Sequence, residues 1–210
     1  KTKCIPALFV ALAALCLSLT AHADKRILLV VTNHGDMGDT GTPTGYFLSE
    51  VAHPWAVFVD AGYTVDFASP KGGFAPMDPK SFDLSDDKNK QFWHTLDAVQ
   101  GVTNTHEIAA LDPANYDAIV FAGGHGTMWD FPNSRPLSQL TAAIYEAGGV
   151  VSAVCHGPAA LVNVELSNGK HLLEGKEVAG FTNEEEAAVG LTEVMPFLLE
   201  DKLQATGAPH

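Results

Sequence analysis

Val150-Val151-Ser152-Ala153-Val154-Cys155-His156-Gly157-Pro158 is the stretch on which the reading of this chain turns. Its first five residues form a short, continuous, β-branched-rich run, which suits a strand buried on both faces of a parallel sheet. Cys155 follows at once. Proline two residues after His156 fits the first turn of a helix, where its missing N–H is no loss, and Gly157 leaves room for a sharp bend. The pattern therefore predicts a strand-to-helix elbow that lifts a cysteine nucleophile above the carboxyl edge of the sheet. A helix N-terminus also favours a thiolate, and lowering a thiol pKa from about 8.5 by about two units would turn most of it into thiolate at neutral pH. A buried, inert cysteine is the plainer alternative.

Similar runs recur along the chain. Arg26 to Val31, Tyr63 to Ala68, Ala118 to Ala122 and Glu177 to Phe181 read as further strands. Apolar residues at Phe47, Val51, Trp55 and Phe58 predict a helix over 46–61 that stops at Gly62, with Pro54 expected to kink or break it near His53. Further helices are expected over 88–99, 134–147 and 157–164, with a short one after Thr182. Residues 35–45 and 69–90 read as loops from their glycines and prolines. Strands alternating with helices predict an α/β fold, a three-layer sandwich around a mainly parallel central sheet.

The start of the chain is different. Lys1 and Lys3 precede an uncharged run from Ile5 to Leu19 and then Ala21-His22-Ala23, the layout of a secretory signal peptide cleaved after Ala23. The expected division is a signal peptide over 1–23 and one domain over 24–210, with a secreted or periplasmic location. Cleavage would remove Cys4 and Cys16 and leave Cys155 as the sole thiol. It would also leave 10 basic against 25 acidic residues, a net charge of −15, in place of −13 for all 210 residues. Such a charge excludes a nucleic-acid backbone as partner and disfavours an anionic membrane surface.

Other residues gather around the elbow if the sheet is parallel. His156 is the candidate general base or acid, although neighbouring side chains on a regular strand point to opposite faces, so only an elbow would bring its ring to the sulfur. Glu184, Glu185 and Glu186 follow the expected strand 177–181, and one of them could orient the histidine. Gly123-Gly124-His125-Gly126 follows another strand; it could supply backbone N–H groups to an oxyanion site together with the N–H of His156, or it could be a simple tight turn. Glu50, beside Phe47 and Val51, is either exposed with His53 as a surface partner or held near another ionisable group with a raised pKa. No H-x-x-x-H or C-x-x-C spacing points to a metal.

Taken together, Pro43-Thr44-Gly45 with Glu50, Ala122-Gly123-Gly124-His125-Gly126, Ala153 to Pro158, and Gly180-Phe181-Thr182 with Glu186 resemble the ThiJ/PfpI superfamily. More narrowly they are similar to its glyoxalase III and holding-chaperone branch. The resemblance covers almost all of 26–205, while the cysteine elbow alone also resembles class I glutamine amidotransferases. It implies a flavodoxin-like, glutamine amidotransferase-like fold, with Cys155 as nucleophile, His156 as its partner, Glu186 as third member of the triad and Glu50 as the acid facing the thiol. Gly124 and the His156 amide would form the oxyanion site. The implied reaction is a cofactor-free, metal-free conversion of methylglyoxal, a small dicarbonyl, to lactate. Unfolded client proteins and a homodimer partner are further family-level expectations, and a hydrolase or amidase would fit the same elbow. Family members continue with another strand and helix, so the domain is expected to lack these at its C-terminal end.

Overall fold

A computed structural model describes residues 25–208. The expected signal peptide over 1–23, with Cys4 and Cys16, lies outside the described residues. Five strands, β1 (Arg26–Val30), β2 (Thr64–Ser69), β3 (His106–Glu107), β4 (Ala118–Phe121) and β5 (Val150–Ala153), make one sheet in the order β3-β2-β1-β4-β5. Every neighbouring pair is parallel, with Val30 opposite Ala68 on one side and Phe121 on the other. Among the described residues seven α-helices accompany them: α1 (Leu48–Asp60), α2 (Asp87–Trp93), α3 (Leu96–Thr103), α4 (Thr127–Asp130), α5 (Arg135–Glu146), α6 (Asn183–Ala188) and α7 (Leu199–Ala205).

Alternation along β1 divides the core. Leu29 and Val31 pack with Val51, Trp55, Phe67 and Phe92 beneath α1, α2 and α3. Leu28 and Val30 point the other way, toward Ile119, Phe121, Leu137 and Ile144 beneath α5, with Leu199 and Leu203 of α7 in the same cluster. Both faces of the sheet are thus covered, as the continuous apolar runs require. The chain leaves β1 toward β2 on one side and returns to its other side as β4. That reversal falls at the carboxyl ends of β1 and β4, the usual place for a ligand in an open parallel sheet.

Several local expectations need correction. Residues 177–181 form no strand. Phe181 instead donates its backbone N–H to the Cys155 carbonyl at 2.9 Å, and the bare Gly180 packs against Leu203 and Pro158, so the segment is pinned to the elbow and does not ladder along β5. Among the described residues β5 is therefore an edge strand. The helix expected over 157–164 is a 3-10 helix, Gly157–Leu161. The helix expected over 88–99 divides into α2 and α3 at His94 and Thr95, where the Thr95 side chain turns back to the Gln91 carbonyl. Pro54 does not break α1, which runs through it as one helix.

Candidate active site

Cys155 occupies the left-handed region at φ 57, and it is the one non-glycine residue to do so among the described residues. This is the bend that the elbow pattern demanded. A Cβ on Gly157 would overlap the Phe121 carbonyl oxygen, so only glycine lets the chain pass so close to β4 after the bend. Left-handed backbone costs a residue with a Cβ about 1–2 kcal/mol. Hence Cys155→Gly is expected to be more stable than Cys155→Ala by about 1 kcal/mol, read as a higher melting temperature for the first of two inactive proteins. Equal melting temperatures would mean that the bend stores no strain.

The bend brings His156 back to the sulfur, with Nδ1 at 3.4 Å from Sγ. His156 is fully buried, its ring held between those of His125 and Phe181, both 4.2 Å away centre to centre. Its Nε2 lies 2.7 Å from Glu186 Oε2. Of the three consecutive glutamates, α6 selects Glu186 for a local reason. Thr182 and Glu185 close a capping box at the helix start, which uses Glu185 and leaves Glu184 exposed, while Glu186 on the first turn faces inward and is buried.

Glu186 has a second partner. His125 Nε2 lies 3.1 Å from Oε1, so each carboxylate oxygen faces one imidazole. Burial would raise the Glu186 pKa, but the hydrogen bonds from His125 and His156 hold it down to about 2. An ionised carboxylate only accepts, so both Nε2 atoms carry the hydrogen and His156 turns its Nδ1 lone pair to the thiol. Burial pushes the His156 pKa down, with the Glu186 hydrogen bond working against it, which favours the neutral ring with its Nδ1 lone pair toward sulfur. Sequence patterning gave no sign that His125 belongs here, since it read only as part of a glycine turn. What places it is the parallel pairing of β4 with β5, which sets the loop after β4 beside the elbow.

Glu50, from the first turn of α1, also reaches the sulfur. Its Oε2 accepts the Gly123 N–H at 2.7 Å. His53, the alternative partner, turns instead to Asp86 at 3.0 Å. Burial raises the Glu50 pKa, against the Gly123 hydrogen bond. With Glu50 charged, the thiol is pushed up to about 12, first by burial and then by that charge. Two half-buried acids in contact disfavour carrying two negative charges at once, so a charged Glu50 keeps the thiol protonated. Burial and the charged Glu50 carboxylate thus work against the lowering expected from a helix N-terminus, and the helix that follows the bend is a 3-10 helix of five residues.

The Gly124 and His156 amides both point at the sulfur and favour negative charge there. Gly124 sits at φ 99, and a Cβ on it would overlap the Gly45 carbonyl oxygen. Thr127 locks the same loop to the elbow, its hydroxyl at 3.0 Å from the carbonyls of both Gly124 and His156. Gly124→Ala is therefore expected to destabilise the fold by more than about 2 kcal/mol, seen as a lower denaturation midpoint. An unchanged midpoint would show that this loop has room to move.

The five residues singled out beforehand, Cys155, His156, Glu186, Glu50 and Gly124, come together at one point. Two imidazoles and a carboxylate at His125, His156 and Glu186 also have the donor types of a metal site. Their 2.7 and 3.1 Å spacings are those of hydrogen bonds, which occupy both carboxylate oxygens.

Comparison with known proteins places this geometry among relatives. The chain is 35% identical over 175 residues to Glyoxalase 3 of Candida albicans, covering 81% of this chain and 74% of that protein. It is 35% identical over 184 residues to the glutathione-independent glyoxalase HSP31 of Saccharomyces cerevisiae, covering 82% and 75%. Among solved structures, the Rapid Encystment Protein of Francisella tularensis superposes with a TM-score of 0.84 at 43% identity, over 88% of this chain and 82% of that one. Glyoxalase III of Candida albicans superposes with a TM-score of 0.81 at 31% identity, over 89% and 82%. With the DJ-1/PfpI family model matching residues 43–187, the elbow at Cys155 and the sheet that carries it belong to a member of the DJ-1/PfpI family.

Proposed function

We propose that this chain is a glutathione-independent glyoxalase that converts methylglyoxal and water to lactate. The observation that carries this reading is that both His156 and Glu50 reach the Cys155 thiol, with two backbone N–H groups aimed at the same point. The names of the relatives point to the same chemistry. Sulfur adds to the aldehyde carbon as the thiol proton passes through His156 or Glu50 to the aldehyde oxygen, giving a hemithioacetal. A base then takes the hydrogen from that carbon, and the electron pair moves through an enediol. Reprotonation at the neighbouring carbon yields a lactoyl thioester. Water cleaves it, releasing lactate and restoring the thiol. One carbon is oxidised and its neighbour reduced, so the balance needs no external oxidant or reductant. A proton must leave one carbon and reach the next, which suits two carriers of different basicity.

The test is to incubate the protein with methylglyoxal in the absence of glutathione. Lactate should appear in step with the loss of the dicarbonyl. Ester or amide turnover with no loss of dicarbonyl would replace this reading with a hydrolase on the same elbow.

Two finer expectations belong to the same proposal. Export to an oxidising compartment rests on the composition of residues 1–23, and N-terminal sequencing of protein recovered from the native host checks it, with Asp24 as the expected first residue. A holding role toward unfolded chains draws on a different feature, the open groove of about 510 Å3 beside β5 lined mainly by apolar residues such as Val151, Leu161, Leu172 and Val178, with Lys176 and Glu177 among them. Suppression of client aggregation that persists in Cys155→Ala would support it; no suppression by either protein would remove it.

A further inference from the structure

The residue that the sequence did not single out is His125, and the carboxylate that orients His156 is not wholly His156's own. Glu186 is divided between two imidazoles, with His156 on Oε2 at 2.7 Å and His125 on Oε1 at 3.1 Å. A carboxylate held at one oxygen only can pivot about its last torsion, which is broad. Held at both, it has one orientation. His125 itself is fixed by the β4 loop, between the Gly124 that points its amide at the sulfur and the Thr127 that ties this loop to the elbow. Its ring also leans on that of His156 at 4.2 Å and meets Phe181 edge-on at 5.9 Å.

We infer that His125 is a positioning residue, acting through Glu186 to fix the tautomer and aim of His156 toward the Cys155 thiol. The triad is then a four-membered chain, His125–Glu186–His156–Cys155, anchored at one end in the loop that supplies an oxyanion amide. Loosening that end moves Nδ1 relative to sulfur, and proton transfer is sensitive to such small displacements. Binding of a small dicarbonyl would be little affected, because His125 acts on the sulfur only through Glu186 and His156. The effect on turnover rests on the glyoxalase reading, but the effect on sulfur reactivity does not.

His125→Phe and His125→Gln separate position from packing. Phenylalanine keeps a ring against His156 and Phe181 but has no N–H, whereas glutamine places an amide N–H near the lost Nε2. With methylglyoxal, His125→Phe is expected to lower kcat about 10-fold while KM changes less than about 3-fold, and His125→Gln to recover most of the loss. The same variants are assayed by the rate at which iodoacetamide alkylates Cys155, alone and combined with Glu186→Gln. Expected is a several-fold slower alkylation in His125→Phe that disappears when Glu186 is already glutamine, since both changes break one chain. Wild-type protein that alkylates as expected but leaves methylglyoxal untouched would overturn the glyoxalase reading and leave this inference standing. The inference is overturned if His125→Phe alkylates at the wild-type rate, if its effect adds fully to that of Glu186→Gln, or if His125→Gln is as slow as His125→Phe.

Discussion

Cys155→Ala is expected to reduce glutathione-free conversion of methylglyoxal by about 10⁴-fold or more, because each later step depends on the covalent bond that its sulfur forms. Sulfur removal takes away little packing, since the residue is only part-buried, so the variant should melt within a few degrees of the wild type. The bend at φ 57 is kept by alanine, as are the Gly124 and His156 amides. Loss of activity without loss of fold is therefore the expected pattern, measured by lactate formation and thermal unfolding on the same sample. Activity within 10-fold of the wild type would mean that sulfur is not the nucleophile.

Glu50→Gln is expected to have the second largest effect, a fall in kcat of about 10²–10⁴-fold with KM changed less than about 3-fold. Glutamine preserves the shape and can still accept the Gly123 N–H with its oxygen. What it cannot do is exchange a proton with sulfur or with carbon. If Glu50 carries the proton between the two carbons, the variant should still form the hemithioacetal and stall there, so the adduct accumulates on Cys155 while lactate does not. A drop in adduct formation equal to the drop in lactate would place Glu50 at the first step and not the second.

Much of the fold was legible because buried parallel strands announce themselves. The runs Arg26 to Val31 and Ala118 to Ala122 are apolar on both faces because helices cover both sides, whereas the run 150–154, read the same way, is an edge strand with Val150 and Val154 exposed. The run 177–181 misled for a tertiary reason. It has a strand's composition, but its last residue is called on to bond the elbow at Cys155, and that tie takes it away from β5. The two-residue β3 carried no pattern at all, being exposed and too short for alternation. In the site, Cys155, His156 and Gly157 were readable because a bend, a base and a close approach each constrain residue type locally. Glu186 was narrowed to three residues by position, and only the resemblance chose among them, whereas the physical choice is made by the capping box that uses Glu185. His125 was hidden because its role depends on a contact across 61 residues of sequence. The opposition to the thiolate was hidden for a similar reason: the elbow's own dipole is local, while Glu50 comes from a helix more than a hundred residues earlier.

The most direct measurement is rapid-quench mass spectrometry of the wild-type protein during a single turnover of methylglyoxal, with no glutathione present. One methylglyoxal mass should appear on the peptide that contains Cys155 and decay at the rate at which lactate forms. Lactate forming with no such adduct, or an adduct confined to lysine and arginine side chains, would contradict covalent catalysis at the elbow.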